Sequence, residues 1–113
     1  MATLTQKVGD SIVWKISYKQ SDGITPVDLT GFTIDVDAYN KTNKALLFNI
    51  VSSIPTTNAY ITTDTLAIGE FSVIIKDTST FTLGDYLVDI EYTDPEGFQK
   101  SSKAFGVKLV ERL

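Results

Sequence analysis

Apolar and polar residues alternate with period two along most of this chain, the pattern of strands that bury one face and leave the other to solvent. Between Ser11 and Lys19, Ile12, Trp14, Ile16 and Tyr18 fall on one side, with Val13, Lys15, Ser17 and Lys19 on the other. Phe32 to Tyr39 sets Phe32, Ile34, Val36 and Ala38 against Thr33, Asp35, Asp37 and Tyr39. Gly69 to Lys76 places Phe71, Val73 and Ile75 inward and Glu70, Ser72, Ile74 and Lys76 outward. The clearest strand is Gly84 to Thr93, where Tyr86, Val88, Ile90 and Tyr92 oppose Asp85, Leu87, Asp89, Glu91 and Thr93. Phe98 to Ser101 returns beside it, and Ala104 to Val110 follows with Phe105, Val107 and Leu109 inward. The apolar run within Ala45 to Ser52 suits a buried strand or a buried helical turn by period alone; its branched residues and short length favour a strand. Ala59 to Thr63 is one further short strand.

Turn chemistry punctuates these segments. Asp22-Gly23 suits a tight reversal, and Pro26 fixes an extended approach to Val27-Asp28-Leu29. At a second reversal, the Asp28 carboxylate can accept backbone N–H bonds two residues on, while Gly31 can take a left-handed conformation. Asp94-Pro95-Glu96-Gly97 is a hairpin turn, in which Pro95 presets φ and Gly97 accepts what other residues resist. Asn40 to Lys44 and Pro55 to Asn58 are loops. Asp77 to Leu83 offers an Asp or Ser cap for a single helical turn, and its β-branched threonines argue against anything longer. Seven to eight short strands without an amphipathic helix predict an all-β chain, a sandwich in preference to a small barrel.

Composition narrows the function. At 113 residues with 42% apolar content, the chain fits one domain, 1–113, with its own core. Without cysteine or histidine there is no disulfide, no thiolate nucleophile, no imidazole base and no His or Cys metal ligand. A net charge of −4 argues against a partner bound by neutralising phosphates, so nucleic acid is not expected. Met1 to Lys7 lacks the apolar core of a signal peptide, and no apolar run approaches the roughly 20 residues of a membrane span, so a soluble cytoplasmic product is expected, with no membrane partner.

Candidate chemistry is sparse. Asp35 and Asp37, with Asp89, Glu91, Asp94 and Glu96, carry oxygen ligands of the kind calcium takes, or a carboxylate pair for glycoside hydrolysis. Alternating acids on a strand are more simply its solvated face, so no metal, cofactor or catalytic residue is assigned and no enzymatic activity is expected. Trp14, Tyr18, Tyr86 and Tyr92 share the parity of core residues, whereas Tyr39 shares that of Asp35 and Asp37 and is the ring expected on the surface. Ile74 and Val110 are outward apolar residues that a lone monomer has little reason to expose; with Tyr39, Leu113 and the terminal segments Thr3 to Lys7 and Glu111 to Leu113 they are the candidate contacts. The lysines form no basic block.

Gly84-Asp85-Tyr86-Leu87-Val88 resembles the Gly-x-Tyr-x-Cys segment of immunoglobulin domains, with Val88 in place of cysteine, and a Tyr86 hydroxyl bonded back to the Leu83 side of the turn is expected. More widely, Gly9 to Ile16, Asp22-Gly23, Pro26-Val27-Asp28-Leu29-Thr30-Gly31-Phe32-Thr33-Ile34, Leu83 to Tyr92, Gly97 and the final strand resemble a group of small Ig-like structural proteins of tailed bacteriophages. Asn40 to Ile68 adds little to the likeness. It implies an Ig-like antiparallel β-sandwich, made in the host cytoplasm and placed in the virion, tail or baseplate. The expected partners are copies of itself or other virion proteins. The alternative is a carbohydrate-binding module that attaches to a host-surface glycan.

Overall fold

The computed structural model describes residues 3–20, 22–101 and 105–111. Nine strands form among them: β1 (Thr3–Lys7), β2 (Ile12–Ser17), β3 (Thr33–Asn40), β4 (Leu46–Val51), β5 (Ala59–Ile61), β6 (Glu70–Ile75), β7 (Gly84–Thr93), β8 (Gln99–Ser101) and β9 (Phe105–Val110). The larger sheet has the order β1-β9-β7-β3-β4, with β8 also paired to β7, and the smaller sheet runs β2-β6-β5. The chain is all-β, and its two sheets form a sandwich.

Period-two alternation puts one face of each sheet into the core. Ile34, Val36 and Ala38 of β3, Tyr86, Val88, Ile90 and Tyr92 of β7, and Val107 and Leu109 of β9 are buried in one cluster with Ile12, Trp14, Phe71, Val73 and Ile75 of the smaller sheet. Each such aliphatic or aromatic side chain contributes about 1.5–3 kcal/mol by leaving water, so a charge placed at Val73 would break the core. Leu29 and Leu66 close one end, where the Leu29 N–H donates to the Leu66 carbonyl at 2.8 Å.

One strand adds to those that alternation marks, and one local expectation is corrected. Thr3–Lys7 is a strand, β1, which pairs parallel to β9 with Thr5 opposite Lys108 and Lys7 opposite Val110. Its sequence has one large apolar residue, Leu4, and so no alternation to read; pairing with a distant strand makes it β. Asp77 to Leu83 forms a β-turn, closed by Phe81 N–H on the Thr78 carbonyl at 3.0 Å, and no helical turn. Asp77 accepts the Ser79 N–H at 2.9 Å. Thr78, fully buried, accepts the Gly9 N–H at 2.9 Å and donates to the Asp10 carbonyl at 2.7 Å, tying this loop to the β1–β2 turn. The helical turn lies instead at Leu66–Ile68, a 3-10 turn ended by Gly69 at φ +72°.

The turn from Asp22 to Gly31 is built as its residue types require. Asp22 accepts the N–H groups of Ile24 and Thr25 at 2.8 and 2.9 Å and the Thr25 hydroxyl at 2.6 Å. Pro26 bridges to Lys19, and the Val27 N–H reaches the Tyr18 carbonyl at 3.0 Å. Asp28 then accepts the Thr30 N–H at 2.9 Å, and Phe32 N–H closes on the Leu29 carbonyl at 3.0 Å. Gly31 sits at φ +81°, the value a type II turn demands at its third residue. At the other end of the strands, the buried Tyr86 donates its hydroxyl to the Thr82 carbonyl at 2.9 Å and meets the Thr82 hydroxyl at 2.7 Å, a tyrosine corner.

Candidate functional site

The residues singled out by sequence are spread over both sheets. Ile74 lies on the outer face of the smaller sheet, half-buried, with Val13 opposite it on β2 and Tyr60 opposite it on β5. Val13 is 64% exposed, so these three side chains make an apolar row across three strands. Val110 is half-buried at the end of β9, opposite Lys7 on the outer face of the larger sheet. Leu113 lies outside the described residues, as do Ser102 to Ala104 between β8 and β9. Asp28, Gly31, Gly84, Tyr86 and Gly97 all occupy turns or the strand starts beside them.

Tyr39 is half-buried, in contrast with the exposed ring expected. Its hydroxyl donates to Asp89 at 2.8 Å, and the Lys44 ammonium stands 5.9 Å from the ring centroid. Ionising the phenol would forfeit the bond donated to Asp89, which raises its pKa. The same outer face carries the acids: register places Asp35 opposite Glu91 and Asp37 opposite Asp89. Like charges directly opposite repel, and neighbouring donors soften this, because the Asn49 amide reaches both Asp35 and Asp37. Among the described residues no group of three or more acids is placed to hold a metal ion.

An open edge lies on the opposite sheet. Tyr18 N–H donates to the Gly69 carbonyl at 2.8 Å, in step with the β2–β6 register. Alternation of the antiparallel ladder then turns the backbone groups of Ile12, Trp14 and Ile16 toward β6 and those of Val13, Lys15 and Ser17 away from it. Among the described residues no strand pairs with that outer side. Beside it is a groove of about 370 Å³ lined by Leu4, Val13, Trp14, Lys15, Ile16 and Phe105. Leu4 comes from β1, the edge of the larger sheet, so the groove opens where the edges of the two sheets face each other. Its floor is fixed by Trp14, which packs edge-on against Phe105 with centroids 5.6 Å apart.

A second concavity, of about 590 Å³, sits at the end of the sandwich under the Asp22–Gly31 turn. The end of β2 contributes Tyr18, Lys19 and Gln20, the turn contributes Val27 and Phe32, and β7 with its hairpin contributes Tyr92, Asp94, Phe98 and Lys100. Tyr18 and Tyr92 stack at 4.2 Å with planes 4° apart. Burial, and after it the neighbouring Tyr18, pushes the Tyr92 phenol pKa up.

Neither concavity is legible in the sequence. Parity places Trp14, Tyr18 and Tyr92 in the core, in agreement with their burial or half-burial. That the same rings reach an edge or an end depends on strand order, which a period-two pattern does not encode.

No protein-family model matches this chain, and no curated protein matches it in sequence. Among solved structures, that of murine CRIg is similar, with a TM-score of 0.50 and 13% identity over 96% of this chain and 92% of that one. At this identity the likeness shows the fold alone: the chain is an Ig-like β-sandwich.

Proposed function

We propose that this chain is a non-enzymatic structural or adaptor protein of a tailed-phage virion, which joins a neighbouring virion component by accepting an extended segment of it along β2. The observation that carries the reading is the open β2 edge beside its apolar groove. A row of unpaired N–H and C=O groups is satisfied by an added strand, and alternate side chains of that strand enter the groove against Leu4, Trp14 and Phe105. Each backbone bond so made contributes about 0.5–1.5 kcal/mol, and the groove supplies selectivity for apolar side chains at every second position. Among the described residues Lys15 is the single charged side chain lining the groove, and it favours an incoming segment that carries an acid there. The virion context rests on the likeness of the Gly9 to Ile34 and Leu83 to Tyr92 segments to small phage structural proteins.

A benzophenone amino acid at Val13, introduced during phage growth, tests this. The expected product in purified particles is a cross-link to an extended stretch of another virion protein. Particles that lack the chain, or cross-links no more frequent than from a control position at Asn43, would sink the reading. A cross-link to a second copy would replace the hetero-partner with self-assembly, which light scattering over a wide concentration range would register.

A second reading, attachment to a host-surface glycan, is favoured by the aromatic cleft at the Asp22–Gly31 end.

A further inference from the structure

The cleft combines three features that one ligand class answers. Phe98, at the tip of the β7–β8 hairpin, is 68% exposed, a ring face left at the cleft wall with no partner ring recorded among the described residues. Tyr92 is only 1% exposed and lines the same space, held by its stack on Tyr18 and an edge contact with Phe71. Among the described residues no hydrogen bond engages its hydroxyl. Buried hydroxyls ordinarily find a partner, and among the described residues no buried side-chain oxygen is shut away unsatisfied, so the hydroxyl of Tyr92, a lining residue, is reachable from the cleft. Charge is the third feature: among the described residues Lys19 and Lys100 line the cleft with one carboxylate, Asp94, whose Oδ1 already accepts the N–H groups of Glu96 and Phe98 at 2.9 Å.

We propose that this cleft binds a saccharide bearing a carboxylate, with the sugar ring on Phe98, a sugar hydroxyl on the Tyr92 hydroxyl and the carboxylate between Lys19 and Lys100. The inference rests on the glycan reading above and narrows it to acidic sugars. The C–H face of a pyranose stacks on an aromatic ring, its hydroxyls need fixed polar partners, and its carboxylate suits the two ammonium groups in a chain whose overall charge is −4. The volume of about 590 Å³ lies within the range of small-ligand sites.

The probes are trigalacturonate and its neutral methyl ester, titrated against ¹⁵N-labelled protein. The expected result is amide shifts confined to residues 18–20, 32 and 92–100. At low salt the acid should bind about tenfold or more tighter than the ester, a preference that shrinks in 0.5 M NaCl. Phe98→Ala and Lys100→Gln change exposed residues and leave the fold intact; each should weaken binding by about fivefold or more. Tyr92→Phe should leave the urea midpoint unchanged and still weaken binding, which a purely structural tyrosine would not do. Equal binding of the ester in the cleft overturns the acidic-sugar assignment and leaves the glycan reading standing. No shift in the cleft with either probe, or shifts only around the Trp14 groove, overturns both.

Discussion

Gly23 and Gly69 hold almost the same left-handed backbone, φ +73° and +72°, in opposite surroundings. Alanine at either position meets the same conformational cost of about 1–2 kcal/mol, partly offset by about 0.4–1 kcal/mol from the stiffer unfolded chain. A Cβ at Gly23 meets nothing within 4 Å, so Gly23→Ala should cost about 1 kcal/mol or less. At Gly69 it would lie 2.6 Å from the Tyr18 carbonyl oxygen and 2.7 Å from that of Val27. Both are backbone atoms, tied by the Tyr18 N–H bond to Gly69 and the Val27 N–H bond to Tyr18, and neither can swing aside. Displacing them adds overpacking strain of about 1–3 kcal/mol and weakens two hydrogen bonds worth about 1 kcal/mol each. Gly69→Ala should therefore cost about 4 kcal/mol, or about 12 °C more in Tm than Gly23→Ala. Urea unfolding followed by the fluorescence of Trp14, the only tryptophan, measures both. If the two variants fell within about 1 kcal/mol of each other, the packing of the turn onto β2 described above would be wrong.

Other perturbations test the frame. Thr78→Val keeps the shape but strands the Gly9 N–H and removes the bond to the Asp10 carbonyl, and should destabilise by about 2–3 kcal/mol in urea, whereas Thr78→Ser, which keeps the hydroxyl, should avoid most of that loss. Tyr86→Phe should cost about 1–2 kcal/mol by calorimetry, because the exposed Thr82 groups regain water; no loss would remove the tyrosine corner as a stabilising device. The Asp22 carboxylate is held at about 2, chiefly by the Thr25 hydroxyl and then by the Ile24 and Thr25 N–H groups. A carboxyl depressed in the folded state stabilises fully above its unfolded pKa and loses that contribution as pH falls through the folded one, so the window runs from about pH 4 down to about pH 2. Across that window the urea midpoint of Asp22→Asn should fall less steeply than that of the parent; parallel curves would count against the turn's hydrogen bonds.

How much of this was legible in the sequence follows from how local each cause is. Alternation through Ile12 to Tyr18, Ile34 to Ala38, Phe71 to Ile75 and Tyr86 to Tyr92 marks both strand and inner face, because the side-chain period belongs to the strand itself. Asp28 with Gly31, Asp94 with Gly97, and Tyr86 with the turn before it were readable for the same reason: each bond spans only a few residues. β1 was not, since one leucine among polar residues has no period and its partner β9 lies at the far end of the chain. The Asp77 segment departs from its local capping signals because Thr78 answers to Gly9 and Asp10, distant partners that no local propensity contains. The open β2 edge and the cleft depend on which strands lie side by side, a property of the whole topology. Val13 shows the limit: its parity says outward, and only the sheet order says that its backbone faces an empty edge.

Amide hydrogen exchange at Val13, Lys15 and Ser17, measured in the free protein and in the assembled particle, tests the role of that edge most directly. In the free protein these amides should exchange quickly while those of Trp14 and Ile16, paired with β6, stay protected. In the particle an added strand should slow all three by about 100-fold or more. Unchanged exchange at the three amides, with protection appearing on another face of the assembled protein, would contradict strand addition along β2.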